Sequence, residues 1–314
     1  MKGSYTFDFE AIEKLSSHIR FGGSSWTYPG WKGLIYKREY RSDKNFTQNA
    51  FEEYAHFPLF RTVGIDRFFY TPPSVQLLKD YDEKSPDGFL WVSKVWERIT
   101  IPRFPKHPRY GSHAGLDNPY FLNPNLFGEE VLGPYEEANV LNKTGPFVFQ
   151  FPWISPNLLS SSEFLAKLSE FLHKIPTSFR YAIEVRNAEY LSPPYFQILN
   201  EANATHCFNH WNSMPPLHEQ MKRAVDGGSL QAPFYVARIL TPLGITYQEA
   251  VKKFEPYEEI RQANPVMRRD VVRLIKRAFS RQVMAFVIVN NRSEGNSPMT
   301  IDAISRMAVK ALGL

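Results

Sequence analysis

Eight short apolar runs, each followed by a segment with helical character, set the narrowest limits on how this chain can fold. The runs are Ile19–Ser25, Thr62–Phe69, Phe89–Val95, Pro146–Phe151, Arg180–Val185, Thr205–Asn209, Phe234–Leu240 and Val283–Val289. Their helical partners are expected over Phe46–Phe60, Ser74–Lys84, Gly128–Lys143, Ser161–Ile175, Pro193–Asn203, Pro216–Gly227, Thr246–Ser280 and Ser297–Leu312. Strands that alternate with helices imply parallel pairing, because parallel neighbours need long crossovers. Eight such units predict an α/β chain closed into a single TIM-type (β/α)8 barrel, with its chemistry at the carboxyl ends of the strands. Residues 1–17 read as an N-terminal extension and residues 18–314 as the barrel domain.

Local signals refine this outline. Ser161 and Ser162 precede Glu163, and Thr246 precedes Glu249 at capping-box spacing. Pro256 and Pro265 should divide the long seventh helical region. The stretch Ile101–Pro134 follows the third strand and is rich in proline and aromatics, so it is expected as a long, ordered loop at the mouth. It would serve as a lid over the mouth or as a brace for its neighbours.

The chain has 314 residues, a formal net charge of +5 and one cysteine, Cys207. A lone cysteine excludes an internal disulfide, and no signal-peptide pattern or long apolar span is present, so a soluble cytoplasmic protein without membrane contact is expected. The basic segment Met267–Gln282 has apolar residues at helical spacing, which makes it a solvated outer helix first and a nucleic-acid face second.

Within a strand, alternate residues face opposite sides. In Tyr181–Arg186, Tyr181, Ile183 and Val185 share the face that suits helix packing, leaving Ala182, Glu184 and Arg186 to point into the barrel or its mouth. The same alternation pairs Val92 with Lys94, Val148 with Gln150 and Ile288 with Asn290. Interior charges are costly unless paired, so Asp66, Lys94, Glu184, Arg186 and Arg238 are expected to form one network. Such a network can hold a general base beside cations that stabilise an anion, or it can simply pin the barrel. Lys94 could clamp an anion, pair in a salt bridge or form a Schiff base. The last role is the least favoured, because it needs a depressed pKa that no local sequence signal guarantees. Trp26 and Tyr70, close to strand ends, are candidates for ligand contact.

The histidines carry no metal-ligand spacing, and no glycine-rich loop for a dinucleotide or nucleoside triphosphate occurs, so neither metal nor cofactor is expected. A weak exception is that Asp66, Glu184 and His210 could converge on one divalent ion.

Several of these segments together resemble the YecE-like family, also called the domain of unknown function 72. The resemblance rests on GGSSWTYPGW at Gly22–Trp31, VGIDRFFYTPP at Val63–Pro73 and FLWVSKVWERIT at Phe89–Thr100. It continues through GPFVFQFP at Gly145–Pro152, YAIEVR at Tyr181–Arg186 and the pair Asn290-Asn291. It implies a TIM-type barrel but no secure activity. The retained positions are Trp26, Lys94, Gln150, Glu184, Arg186, Arg238 and Asn290. The chain departs from the family pattern at Gly64 and Asp66, where Glu and Asn are usual, at Thr71 for Arg, and at Leu240-Thr241 for His-Gly. These readings together predict an enzyme, independent of metal, with Glu184 and Lys94 as catalytic groups. A small polar or anionic ligand would be held by Trp26, Asp66, Tyr70, Gln150, Arg186, Arg238 and Asn290. A nucleic-acid-processing protein and a non-catalytic ligand-binding scaffold are the alternatives.

Overall fold

The computed structural model describes residues 5–226 and 230–314. Met1–Ser4 of the expected extension and Gly227, the expected end of the sixth helix, lie outside the described residues. The strands are β1 Ile19–Gly23, β2 Thr62–Ile65, β3 Leu90–Lys94, β4 Thr144–Gln150, β5 Tyr181–Glu184, β6 Thr205–His210, β7 Phe234–Ile239 and β8 Met284–Val289. They form one sheet in the order β1-β8-β7-β6-β5-β4-β3-β2, parallel throughout, with helices outside. This is a single-domain (β/α)8 barrel.

The alternation read from the sequence sorts the side chains into two cores. Val92, Val148, Ala182, Cys207, Val236, Phe286 and Ile288 fill the barrel interior. Tyr181, Ile183 and Val185 pack outward against the helices. One further step along the same inward face brings Lys94, Gln150, Glu184 and Arg238 to the carboxyl end.

The barrel closes at one seam, between β1 and β2, where no regular ladder forms. Arg61 N donates to Phe21 O at 2.9 Å. The hydroxyl of Tyr54, from the helix Asp43–Ala55, replaces the missing rungs: it accepts from Gly23 N at 2.7 Å and donates to Thr62 O at 3.1 Å. Gly22 permits this approach, since a Cβ there would stand 2.1 Å from Thr62 O.

Helix boundaries follow their caps. The first capping box uses Ser160, not Ser161 or Ser162: Ser160 Oγ accepts from Glu163 N at 3.3 Å, and the Glu163 carboxylate accepts from Ser160 N at 2.9 Å. The motif needs three residues from cap to acid, and only Ser160 has that spacing. Thr246 and Glu249 form the second box as expected. The long region divides into Tyr247–Phe254 and Pro265–Arg281. The extension carries a helix, Phe9–Leu15, and is tied to the last helix, where buried Asp302 accepts from Tyr5 Oη and Asp8 N, both at 2.7 Å.

Ile101–Pro134 is an ordered brace. Asn118 Nδ2 donates to Arg98 O and Ile101 O at 2.8 and 2.7 Å, and Arg103 pairs with Asp117 at 2.6 Å. Its last residues belong to short helical turns over Pro124–Glu137, whose Phe127, Val131, Leu132 and Tyr135 enter the core.

Two predictions follow from this packing. Tyr54→Phe keeps the ring, stacked 4.1 Å from Phe60, but orphans Gly23 N and Thr62 O. It should cost about 2 kcal/mol in urea unfolding. The second concerns His206, buried between Tyr195 Oη at 3.0 Å and Gln220 Oε1 at 3.2 Å. Burial lowers its pKa from 6.5 to about 4. Below 6.5 the unfolded chain takes up a proton that the folded ring refuses, so stability falls as pH drops from 6.5 to 4. A stability–pH titration of the wild type and His206→Gln should show a smaller loss in the variant over that window.

Candidate functional site

Glu184 ends β5 with none of its side chain exposed to solvent. Burying a carboxylate is unfavourable unless cations and donors replace water. Arg238 Nη1 donates to Glu184 Oε2 at 2.6 Å, and Arg186 Nη2 stands against Oε1 as an ion pair without a well-directed hydrogen bond. Cys207 Sγ approaches Oε2 at 3.7 Å. Arg238 also reaches across the barrel with Nη2 to Asp66 Oδ1 at 2.6 Å, so one guanidinium bridges two carboxylates from opposite sides of the mouth. Arg186 Nη1 donates to Asn209 Oδ1 at 3.1 Å, and its guanidinium lies 4.3 Å from the Trp211 ring centroid.

The charges divide accordingly. Burial alone would raise the Glu184 carboxyl, but Arg186 and Arg238 outweigh it and hold the pKa at about 2. Burial also opposes the charge on Arg238, and Asp66 and Glu184 more than offset it. Lys94 is different. Its Nζ stands 3.9 Å from the Phe69 ring centroid and makes no hydrogen bond or ion pair among the described residues. Desolvation lowers its pKa to about 8, against partial support from Asp66.

These groups line a cavity of about 520 Å³ at the mouth, with Asp66, Tyr70, Lys94, Gln150, Arg186 and Arg238 in its wall. Trp153, Trp211, Tyr247 and Arg292 line it as well and were not among the residues singled out from sequence. A signal was available: Trp153 lies three residues past Gln150, Trp211 directly follows His210, and Arg292 follows the Asn290-Asn291 pair. Tyr70, Trp153 and Tyr247 are 57%, 60% and 46% exposed and form an aromatic rim. Arg292 lies 4.4 Å from the Tyr247 ring. No residue of 101–134 lines the cavity. That segment reaches the rim through Arg109, 4.9 Å from the Tyr70 ring and paired with Glu97 at 2.7 Å. It therefore braces the edge and does not cover the opening.

Three expected site residues stand apart from the cavity wall. Glu184 lies beneath it. Asn290 is buried at the same end, where its Nδ2 donates to Ser24 Oγ and its Oδ1 accepts from Arg292 N at 2.9 Å, tying β8 to the end of β1. Trp26 packs on Phe51 and Tyr81 and borders a separate cavity of about 540 Å³ between the first two units, which Asp66 also borders. His210 does not join Asp66 and Glu184: its Nδ1 is bonded to Thr241 O at 2.7 Å, and no group of three ligating side chains is present among the described residues.

A ring of eight parallel strands with a charged centre at its carboxyl ends defines a TIM-type barrel with a polar mouth. The chain matches the family model described as protein of unknown function DUF72 over residues 20–312, and it belongs to that family, the YecE-like proteins. Solved structures with the same fold include a DUF72 family protein from Enterococcus faecalis V583. It is 16% identical, with 94% of this chain and 96% of that chain covered and a TM-score of 0.59. Another, from Thermotoga maritima MSB8, is 17% identical, with 95% and 100% covered and a TM-score of 0.56. No curated protein matches the chain. No helix among the described residues is long and apolar enough to cross a membrane.

Glu184→Gln removes one charge and leaves Arg186 and Arg238 buried beside a neutral amide. It should lower unfolding stability by about 3 kcal/mol at pH 7. The wild-type contribution should itself fade on acidification from about 4.5 toward 2, because the folded carboxyl stays ionised where the unfolded one protonates. Chemical denaturation of both proteins at pH 7 and pH 3 checks the pair: the difference between them should be smaller at pH 3.

Proposed function

We propose that the protein is an enzyme acting on a small anionic molecule at the mouth of the barrel, with Lys94 as its reactive group. The observation that carries this reading is a largely buried lysine with no hydrogen-bonding or ion-pairing partner among the described residues, facing a cavity whose one lining carboxylate, Asp66, and the Glu184 carboxylate beneath it are both held by Arg238. Structural lysines are paired, whereas one kept unpaired and partly desolvated is poised to exchange a proton near neutral pH. Glu184, held at about 2, is too weak a base for that task and serves as the counter-charge that fixes Arg186 and Arg238. Arg186, Arg238 and Arg292 would face the anion, Gln150 would orient it, and Tyr70, Trp153, Trp211 and Tyr247 would bracket a flat portion. Asp66 and Glu184 are both neutralised by Arg238, a donor set poorly suited to a divalent cation, which supports chemistry independent of metal.

The basic flank supports a small molecule over nucleic acid. The helix Pro265–Arg281 follows β7 and runs back down the outside of the barrel. Arg268 pairs with Glu294, Arg273 with Asp270, and Arg277 and Arg281 bond Tyr235. Arg268, Arg277 and Arg281 are thereby engaged in holding the helix to the barrel, and Arg273 is paired within the helix.

Inorganic phosphate at low ionic strength should raise the melting temperature in a saturable way, as expected of a ligand that binds only the folded state. Arg292→Ala, which touches neither Glu184 nor Asp66, should remain folded and bind phosphate about tenfold more weakly. Lys94→Met should also lose phosphate affinity yet gain stability at pH 7, on the order of 2 kcal/mol, because a desolvated cation is removed. The wild-type burden should lift as pH rises from 8 toward 10.5, where the folded lysine is neutral and the unfolded one still charged. Absence of any phosphate or small-carboxylate effect on the melting curve would remove the anion-site reading.

A further inference from the structure

We infer that Lys94 is a nucleophile that forms an iminium with an aldehyde or ketone carrying an anionic group. The inference rests on the proposed anion site and adds the class of substrate. Its basis is where Nζ stands. The amine lies over the Phe69 ring in the wall of the mouth cavity, with no hydrogen bond or ion pair among the described residues to restrain it. The charged groups acting on it come from four elements. Asp66 follows β2, Glu184 ends β5 and Arg186 follows it, Arg238 is on β7, and Glu97 follows β3 and is tied to Arg109. Both mouth carboxylates are bonded to Arg238, so neither neutralises the amine by direct contact. Arg186 and Arg238 add positive charge nearby, which favours the neutral amine that can attack a carbonyl. The same arginines would hold the substrate's anionic group. This selects an anionic carbonyl compound over a neutral one.

The step balances without an outside redox agent. The lone pair of neutral Nζ attacks the carbonyl carbon, forming the C–N bond, and one proton passes from the nitrogen to the former carbonyl oxygen to give a carbinolamine. A second proton reaches that hydroxyl, the C–O bond breaks and water leaves, so that amine, carbonyl and one proton become iminium and water. Asp66, partly exposed at 35% and bordering the cavity, is the carboxylate placed to carry protons in both stages. Loss of a proton from the carbon next to the iminium to Asp66 or water then passes the C–H electron pair into the C–N system as an enamine; a proton returns to carbon, and addition of water with departure of the amine releases the carbonyl compound and restores Lys94.

Glyoxylate, the smallest anionic aldehyde, tests this with sodium cyanoborohydride as the trapping reductant. The wild-type protein is labelled for short times at pH 7 and the carboxymethyl-lysines are located by peptide mass spectrometry. Lys94 should be modified about tenfold faster than any other lysine, inorganic phosphate should protect it, and its rate should rise with pH to a plateau above about 8. Lys94→Arg, which keeps the charge, should lose the fast phase and still be stabilised by phosphate. If phosphate stabilises the wild type but Lys94 is labelled no faster than surface lysines, the covalent role is overturned and the anion site stands. If phosphate neither stabilises nor protects and labelling is unselective, both readings fall.

Discussion

Arg238 bonds Glu184 with one nitrogen and Asp66 with another, and much of the barrel's upper half depends on that bridge. A carboxylate as deeply buried as Glu184 is tolerated only where cations replace its lost water. The bridge also joins β7, β5 and the turn after β2, which lie on different sides of the mouth, so it fixes the spacing of three units at once. Its less obvious consequence falls on Lys94. With both nearby carboxylates oriented toward a guanidinium, the lysine on β3 is left with an aromatic ring and an open cavity, and its charge is poorly compensated. The arrangement that stabilises the barrel centre therefore leaves an amine without a carboxylate partner beside it.

Glycine has a comparable double role at the seam. Gly22 lets β1 approach Thr62 closely enough for Tyr54 to bridge the two strands. At Gly64 a Cβ would meet Ile288 Cγ2 at 2.9 Å, so the missing side chain leaves room for Ile288 from β8 to fill the barrel interior.

The barrel was legible because its signal is periodic. Alternation in YAIEVR, repeated around Val92, Val148 and Ile288, separates inside from outside along each strand without any long-range information. Tyr54 carries no such signal: its importance lies in a hydroxyl that reaches two strands distant in sequence. Inward-facing charges pointed to Asp66, Glu184, Arg186 and Arg238, which do pair, and also to Lys94, which joins no ion pair among the described residues; the pairing itself could not be read. Which carboxylate Arg238 would take depends on side-chain reach across the barrel, and that choice decides whether Lys94 is a salt-bridge partner or a free amine. The loop after β3 showed the same limit. Its prolines and aromatics indicated order, while its position beside the opening is set by Asn118, Arg103 and Arg109 finding partners at the barrel edge.

The central claim is that the Arg238 bridge leaves Lys94 unpaired and readily deprotonated. Its most direct test is an NMR titration of the Lys94 ε-methylene, assigned by comparison with Lys94→Arg. The structure predicts a midpoint near 8 in the ligand-free protein, set by burial and the neighbouring arginines. A midpoint at or above the ordinary lysine value of 10.5 would contradict it, by showing that Lys94 has a carboxylate partner in solution.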